Sequence, residues 1–280
     1  MDERELCILH YSALPTAEEI AKEYASHIKG KTVLITGVSP NNLGLAFLEA
    51  IAPHKPGLLI LVSRTLFNLH SSQEALIGKV PALQQVRNAA AEVNGWHASD
   101  EPLGHFLFTK LILGKLLNAA RNSPLRETRA MNVTSNGHRI SDIHWNDINL
   151  EMRLLLEETP WSSWTRYGQS KTANVLFSIS LTEKLGAKGI ASFSLHPGCI
   201  FTGMVRDLST EELVEKGEAA GQWLPPAVRY KTVSQGAATH VTVCFDPDIA
   251  DQNGSYLKDY KIETTDIAPY ALNKHSVELL

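Results

Sequence analysis

The stretch TVLITGVSPNNLGLAFLEAIAPHKPGLLILVS, residues 32–63, decides the fold. It begins with an apolar, β-branched run that ends at Thr36 and Gly37, and it ends with a second apolar run from Leu58 to Ser63. Between the two runs, apolar residues recur at helical spacing from Leu43 to Ala52. A strand, a loop, a helix and a second strand in this order predict a βαβ unit with a parallel sheet.

The rest of the chain extends this pattern in both directions. Upstream, Thr16 and Glu19 form a capping-box sequence, which predicts a helix that ends near Ile28. Between Leu66 and Leu125 the sequence predicts helices and no strand. The segments with the clearest patterns are predicted as helices Ala82–Val93, Leu103–Ala120, Ser163–Leu185, Glu211–Gly217 and Gln235–Cys244, and as strands Arg129–Thr134, Gly189–Leu195 and Gly254–Lys258.

Tyr167 and Lys171 are the pair of residues that points most directly to chemistry. Residues four apart share one face of a helix, and both lie in the predicted helix Ser163–Leu185. A free phenol has a pKa of about 10, but a neighbouring cation stabilises the phenolate. Such a pair can therefore exchange a proton near neutral pH.

Several motifs resemble, in order and spacing, those of the short-chain dehydrogenase/reductase family. The resemblance is closer to its retinol-dehydrogenase-like branch, particularly fungal members, and it spans roughly Lys31 to Tyr260. The motifs that carry it are Lys31-Thr32-Val33-Leu34-Ile35-Thr36-Gly37, Asn132-Val133-Thr134-Ser135-Asn136-Gly137-His138-Arg139, Tyr167-Gly168-Gln169-Ser170-Lys171-Thr172-Ala173-Asn174 and Leu195-His196-Pro197-Gly198.

The resemblance implies a fold and an enzyme activity. The fold would be α/β, a Rossmann-type doubly wound parallel sheet, in a single domain from 31 to 280 that follows a helical extension at 1–30. The activity would be hydride transfer between NADP(H) and an apolar alcohol or carbonyl compound. In that reaction Tyr167 would exchange the proton, Lys171 would stabilise the phenolate and bind the nicotinamide ribose, and Ser135 would orient the carbonyl.

The cofactor site that the resemblance implies begins in the loop after the first strand. A helix N-terminus at such a loop binds the pyrophosphate of a dinucleotide. Arg64, after the second strand, stands where an NAD-specific site would carry an acidic residue, so it favours NADP(H). The expected contacts come from Gly37, Ser39, Asn42, Leu43, Gly44, Ser63, Arg64, Tyr167, Lys171, Ile200 and Thr202.

The sequence also departs from the family pattern. The loop is one residue longer than usual, with Asn41 or Asn42 in place of the middle glycine. The family's strand with an Asp after the second helix, and its strand ending in Asn-Asn-Ala-Gly, have no match, which indicates an internal deletion and a sheet with fewer strands. Without those strands, either the strand at Arg129 moves beside the strand at Thr32 or a polar sheet edge is left unpaired.

Composition limits the partners. The chain has 280 residues, 44% of them hydrophobic, and a net charge of −4, which gives no case for binding nucleic acid or an anionic membrane. The 3 cysteines show no metal-ligand spacing, and no metal is expected. No apolar run approaches the about 18 residues of a membrane span, so a cytoplasmic protein is expected. By resemblance, a small-molecule substrate, a homo-oligomer and a role in secondary metabolism are all compatible with the chain.

Two other interpretations remain open. A non-catalytic or truncated relative could bind a cofactor and retain the Tyr167/Lys171 pair as a remnant. An extended-type epimerase or dehydratase also uses Tyr-x-x-x-Lys, but the short chain after that motif and the Pro197-Gly198 segment argue against it.

Overall fold

The computed structural model describes most of the chain, namely residues 14–63, 65–79, 86–90, 101–150, 161–200 and 231–279. These residues form two compact units. Unit 1 combines Met1–Asn94, Pro197–Asp207 and Val228–Pro247, and unit 2 combines Gly95–His196, Leu208–Ala227 and Asp248–Leu280. Each unit is described by itself below.

Helices and strands alternate along much of the chain. In chain order they are α1 (Ala17–Glu23), α2 (Ala25–Ile28), β1 (Thr32–Thr36), α3 (Leu43–Ile51), β2 (Leu58–Ser63), α4 (Leu66–Lys79), β3 (Val86–Ala90), α5 (Glu101–Arg121), β4 (Thr128–Val133), α6 (Trp161–Leu185), β5 (Ile190–His196), α7 (Val233–Phe245), β6 (Tyr256–Lys258), β7 (Lys261–Ile262) and α8 (Lys274–Leu279).

Unit 1 is built on a three-stranded parallel sheet with the order β1-β2-β3. The predicted βαβ unit is confirmed, with β1 and β2 at the predicted residues and α3 between them. The predicted capping box begins α1, where Thr16 Oγ1 accepts from the Glu19 N–H. Helices α1, α3 and α7 share one apolar core, whose largest buried ring is that of Phe47.

The prediction of helices alone between Leu66 and Leu125 is wrong at one place. Val86–Ala90 is a strand that pairs in parallel with β2, from Leu59 opposite Val86 to Ser63 opposite Ala90. Helix propensity is a weak prior that tertiary pairing overrides, and here the second edge of β2 supplies partners for backbone groups. One of the two strands expected to be missing is therefore present.

Unit 2 contains a four-stranded sheet with the order β4-β5-β6-β7, in which only β7 is antiparallel. The predicted strands appear here within two residues of their expected ends. β5 is buried along its whole length, between β4 and β6. The predicted helices at Leu103–Ala120, Ser163–Leu185 and Gln235–Cys244 are confirmed as α5, α6 and α7, whereas Glu211–Gly217 lies outside the described residues.

Both sheets end on strands that the family resemblance would place in the interior. Among the described residues, the pairing recorded within each unit joins β1 to β2 and β4 to β5. The side chains of β1 alternate between exposed and half-buried, and Leu34 is 39% exposed. Because the side chains of this strand are partly exposed, leaving backbone groups unpaired there costs less free energy than it would in a buried strand.

Across the described residues, no helix combines the length and the apolar character needed to cross a bilayer.

His240 predicts a pH dependence of stability in unit 1. Its ring is buried in α7, where it faces the Gly236 carbonyl at 3.2 Å, and burial lowers its pKa to about 4. The unfolded chain therefore takes up this proton first, so the stabilisation is complete above pH 6.5 and is lost as the pH falls towards 4. Between pH 7 and pH 5 we expect a loss of about 2 kcal/mol from this residue.

The measurement is urea unfolding at both pH values for wild type, His240→Gln and the exposed control His27→Gln. The His240 variant should lose less stability on acidification than the wild type, and the His27 variant should follow the wild type. Equal losses in all three proteins would contradict the assignment.

Candidate active site

Ser135 lies in unit 2, in a tight turn directly after β4. It precedes the 3₁₀ turn Asn136–Arg139, and its Oγ accepts from the Gly137 N–H at 3.1 Å. This bond holds the Ser135 hydroxyl close to the turn instead of leaving it free to rotate.

The end of β4 is also joined to α6. Thr134, one residue before Ser135, donates from Oγ1 to the Lys171 carbonyl at 2.6 Å.

The ring of Tyr167 packs directly against this turn. A Cβ added to Gly137 would lie 2.4 Å from Tyr167 Cε1 and 3.5 Å from Ser135 Oγ. The edge of the Tyr167 ring and the Ser135 hydroxyl therefore both lie close to the Gly137 Cα. Any side chain larger than that of glycine would collide with the Tyr167 ring. Gly168 also lies close to the turn, because a Cβ there would be 3.0 Å from the Gly137 carbonyl oxygen.

Lys171 completes the group. Its ammonium lies 5.6 Å from the centroid of the Tyr167 ring, and its side chain is buried. The three residues expected to be catalytic, Ser135, Tyr167 and Lys171, thus come together in one unit. This arrangement places two hydroxyl groups and a cation where a carbonyl oxygen could receive a hydrogen bond and a proton.

The expected cofactor loop lies in unit 1, between β1 and α3. Gly37 and Asn41 have positive φ angles of 74° and 57°, which turn the chain sharply. Asn42 donates from Nδ2 to the Gly37 carbonyl at 2.6 Å and accepts at Oδ1 from the Leu45 N–H at 3.0 Å. Asn42, one of the two asparagines that could stand in for the family's middle glycine, therefore closes the turn with its side chain and caps the helix.

The start of α3 fits a pyrophosphate group. The first N–H groups of a helix have no intrahelical acceptor, and those of Leu43 and Gly44 precede the N–H that Asn42 caps. A Cβ on Gly44 would lie 3.4 Å from both Asn42 Oδ1 and the Gly37 carbonyl oxygen, so the start of the helix packs closely against the loop.

Two other expected cofactor contacts meet inside unit 1. A Cβ on Gly236 of α7 would lie 2.1 Å from Ile200 Cδ1 and 2.9 Å from Leu43 Cδ2. Gly236 therefore admits the Ile200 side chain beside Leu43, and the segment after Pro197-Gly198 lies against the start of α3. Ser39 is half-buried in the loop and Ser63 is buried at the end of β2, whereas Arg64 and Thr202 lie outside the described residues.

Sequence reasoning missed two residues near these groups. Gly137 leaves the space that the Tyr167 ring occupies. Lys231 is buried, and its Cδ would lie 2.7 Å from a Cβ added to Gly198. A glycine two residues after Ser135 was visible as a turn signal, and Lys231 precedes the capping box of Thr232 and Gln235. Neither pattern states which distant side chain will pack there.

Relatives among known proteins agree with the motifs. The chain is 35% identical over 158 residues to the short-chain dehydrogenase/reductase prx1 of Penicillium rubens, covering 56% of this chain and 42% of that protein. It is 29% identical over 239 residues to the oxidoreductase fscI of Fusarium equiseti, covering 65% and 92%, and 30% identical over 184 residues to human retinol dehydrogenase 12, covering 66% and 51%. No family model matches the chain.

The chain is similar in sequence to short-chain dehydrogenases/reductases. Its resemblance to the fungal members and to the retinol dehydrogenases is confirmed, although it spans less than half of the Penicillium rubens relative.

Solved structures support the fold. A 3-oxoacyl-[acyl-carrier protein] reductase from Brucella melitensis matches with a TM-score of 0.60 at 17% identity, covering 85% of this chain and 93% of that one. The RhlG/NADP complex of Pseudomonas aeruginosa matches with a TM-score of 0.56 at 16% identity, covering 83% and 96%. The predicted Rossmann-type α/β fold is confirmed.

Gly137→Ala tests the close approach of Tyr167. The added methyl would overlap the ring edge, so the ring or the turn must shift, and overpacking of this kind costs about 1–3 kcal/mol. We expect urea unfolding to show a loss of stability in this range.

Gly114→Ala is the matched control. Gly114 lies in the exposed face of α5, and a Cβ there would have no neighbour within 4 Å. Because alanine is the better helix former, this variant should gain about 0.5–1 kcal/mol. If both variants changed stability in the same direction and by similar amounts, the packing described at Gly137 would be wrong.

Proposed function

We propose that the protein is an NADP(H)-dependent oxidoreductase that moves a hydride between the nicotinamide and an apolar alcohol or carbonyl compound. The observation that carries this proposal is the packing of Tyr167 against the Ser135 turn, with the Lys171 ammonium 5.6 Å from the ring. Its kinship to oxidoreductases supports an enzyme of this general class.

Each of the three residues has a part that follows from its chemistry. When bound, the nicotinamide supplies or accepts the hydride. In the reductive direction, Ser135 donates a hydrogen bond to the substrate carbonyl oxygen and orients it. Tyr167 then gives its phenolic proton to that oxygen, and Lys171 stabilises the phenolate that remains. In the oxidative direction, the same groups take the proton back from the alcohol.

The preference for NADP(H) rests on Arg64 and on the loop before α3. An arginine at the end of the second strand suits a 2′-phosphate, and Ser63 supplies a neighbouring hydroxyl. The loop supplies the helix N-terminus for the pyrophosphate, and Ile200 and Thr202 are proposed to dock the nicotinamide. The matched Pseudomonas aeruginosa structure is itself an NADP complex.

An apolar substrate is supported by the surroundings of Tyr167. The Trp164 ring meets the Tyr167 ring edge-on, with centroids 5.8 Å apart and an interplanar angle of 88°. Trp161, Trp223 and the segment 201–226 belong to the region that borders the substrate in the family. An aromatic ring packed against the proton donor would favour an aliphatic or polycyclic carbonyl over a small charged one.

We also propose that the protein forms a homo-oligomer, is cytoplasmic and serves secondary metabolism. The oligomer is supported by α5, where Phe106, Leu107 and Leu111 are 40%, 45% and 74% exposed on one side of the helix. The fungal relatives support the metabolic role. We further propose that residues 31–280 act as a single oxidoreductase domain.

The second candidate function is a relative that binds a cofactor without catalysis. It is favoured by the single pairing of β1 and of β4 among the described residues, because the family's strand ending in Asn-Asn-Ala-Gly would supply part of the cofactor site.

Tyr167→Phe separates the two functions. Without the hydroxyl no proton reaches the substrate oxygen, and loss of a general acid costs about 10²–10⁴-fold in rate. We expect turnover of octanal or 1-decalone to fall by that amount, while NADPH affinity, read by quenching of tryptophan fluorescence, stays within a few-fold of wild type.

Tyr24→Phe, in the core of unit 1, is the matched control and should keep wild-type turnover. A Tyr167→Phe variant with full turnover would exclude the mechanism. If the wild-type protein bound NADPH but reduced none of octanal, 1-decalone and pyruvate, the binding-only function would be favoured. A preference for pyruvate over the other two would exclude an apolar substrate.

Arg64→Ala tests the choice of cofactor. Loss of a charge-assisted hydrogen bond of about 1.5–3 kcal/mol weakens binding roughly tenfold to a hundredfold. We expect this loss for NADPH and little change for NADH, with Lys22→Ala in α1 as the control. Equal losses for both cofactors would show that Arg64 does not select the 2′-phosphate.

A further inference from the structure

The ring of His138 lies buried directly behind the Ser135 turn. Its Nδ1 is 2.7 Å from the Ser135 carbonyl oxygen, and its Nε2 is 3.2 Å from the Ala268 backbone nitrogen. A carbonyl oxygen can only accept and a backbone N–H can only donate. The two contacts therefore fix one state of the ring, the neutral tautomer with its proton on Nδ1.

The backbone of His138 extends the same connection to α6. Its carbonyl oxygen accepts from the Tyr270 hydroxyl at 2.9 Å and lies 2.9 Å from Thr172 Oγ1, whose single proton is shared with the Ser141 carbonyl at 2.7 Å. Thr172 follows Lys171 in the helix. One residue thus joins the Ser135 turn, the helix that carries Tyr167 and Lys171, and the segment at 268–270.

A second imidazole holds the next residue of the turn. His196, at the end of β5, accepts at Nδ1 from the Asn136 N–H at 3.3 Å. The Asn136 side chain accepts in turn from the Tyr256 hydroxyl at 3.1 Å. Two side chains, His196 and Tyr256, thus hold Asn136 from its backbone and from its side chain.

The groups that face His138 act in opposite directions on its charge. Burial has the largest effect and lowers the pKa of His138. The hydrogen bond to the Ser135 carbonyl and the carboxylate of Asp266 raise this pKa, whereas the cations of Arg139 and Lys258 lower it. The uncharged phenols of Tyr256 and Tyr270 also lie against this residue. A second proton on Nε2 would point at the Ala268 N–H, so protonation breaks that contact.

We propose that His138 is a positioning residue, which holds Ser135 in its catalytic place through the Nδ1–H bond to the Ser135 carbonyl. The inference rests on the proposed function, since it concerns the Ser135 hydroxyl as a substrate contact. His138 touches neither the substrate nor the cofactor in this account and acts through Ser135.

Protonation of the ring would keep the Nδ1–H bond to the Ser135 carbonyl and break only the Nε2 contact with the Ala268 N–H. The positioning role therefore does not depend on a neutral ring.

Two variants separate the two contacts of the ring. In His138→Asn the amide nitrogen takes the place of Nδ1 and keeps a donor for the Ser135 carbonyl. In His138→Gln the amide oxygen takes the place of Nε2 and keeps an acceptor for the Ala268 N–H. Both variants remove the titrating group and one hydrogen bond, so a merely structural role predicts equal effects.

The experiment measures kcat, KM and pH profiles for reduction of octanal and 1-decalone by NADPH, together with NADPH affinity. We expect His138→Gln to lose about tenfold in kcat, the factor that corresponds to one hydrogen bond, with KM and NADPH affinity unchanged. His138→Asn should keep kcat within a few-fold, and its pH profile should follow that of the wild type. The effects of Ser135→Ala and His138→Gln should not multiply in the double variant.

The inference would be overturned if both His138 variants lost kcat equally, or if the effects of Ser135→Ala and His138→Gln were independent. Neither result would contradict the proposed function, because the wild-type protein would still turn over its substrate. Wild-type protein that binds NADPH but reduces none of the carbonyl probes would overturn the proposed function, and the inference with it. Imidazole ¹⁵N chemical shifts of wild type near pH 7 provide a readout without turnover. They should show the Nδ1–H tautomer at His138, and the Nε2–H tautomer there would contradict the inference.

Discussion

Hydrogen bonds between one helix and the backbone of its sheet determine where the candidate active site can form. Asn174 of α6 donates to the Val133 carbonyl at 3.0 Å, and Ser178 donates to the Phe193 carbonyl at 3.1 Å. These side chains are four residues apart, so they lie on one face of the helix. Directional bonds fix rotation and translation in a way that apolar packing does not, and they place Tyr167 and Lys171, on the preceding turns, beside the turn that follows β4.

The candidate site can form in a sheet that departs from the family pattern because the three residues proposed to be catalytic need only a part of that sheet. Ser135, Tyr167 and Lys171 depend on β4, β5 and α6, all within unit 2. The cofactor loop depends on β1, β2 and α3 in unit 1. The strands at which the pairing ends have partly exposed side chains, Leu34 being the clearest case. Solvated edges cost less than buried ones, but they remain available for pairing with another chain.

The sequence could predict those parts of the structure that local patterns determine. The apolar runs of β1, β2 and β5 and the capping box at Thr16 appear where periodicity and side-chain chemistry placed them. β3 was missed because Ala89, Ala90 and the residues around them favour a helix in isolation, while pairing with β2 is a tertiary effect. Gly137 and His138 were missed because their partners, Tyr167 and Ala268, are distant in sequence. The motif order brought Ser135, Tyr167 and Lys171 together only through the family resemblance.

Transfer of an isotope from the cofactor shows whether this group of residues supports hydride transfer. The wild-type protein is incubated with NADPH deuterated at C4 of the nicotinamide, with octanal or 1-decalone as the acceptor, and the alcohol product is analysed by mass spectrometry. We expect a product that carries one deuterium at the carbinol carbon. An alcohol without deuterium from either face of the labelled nicotinamide, or no alcohol from a protein that binds NADPH, would contradict this expectation.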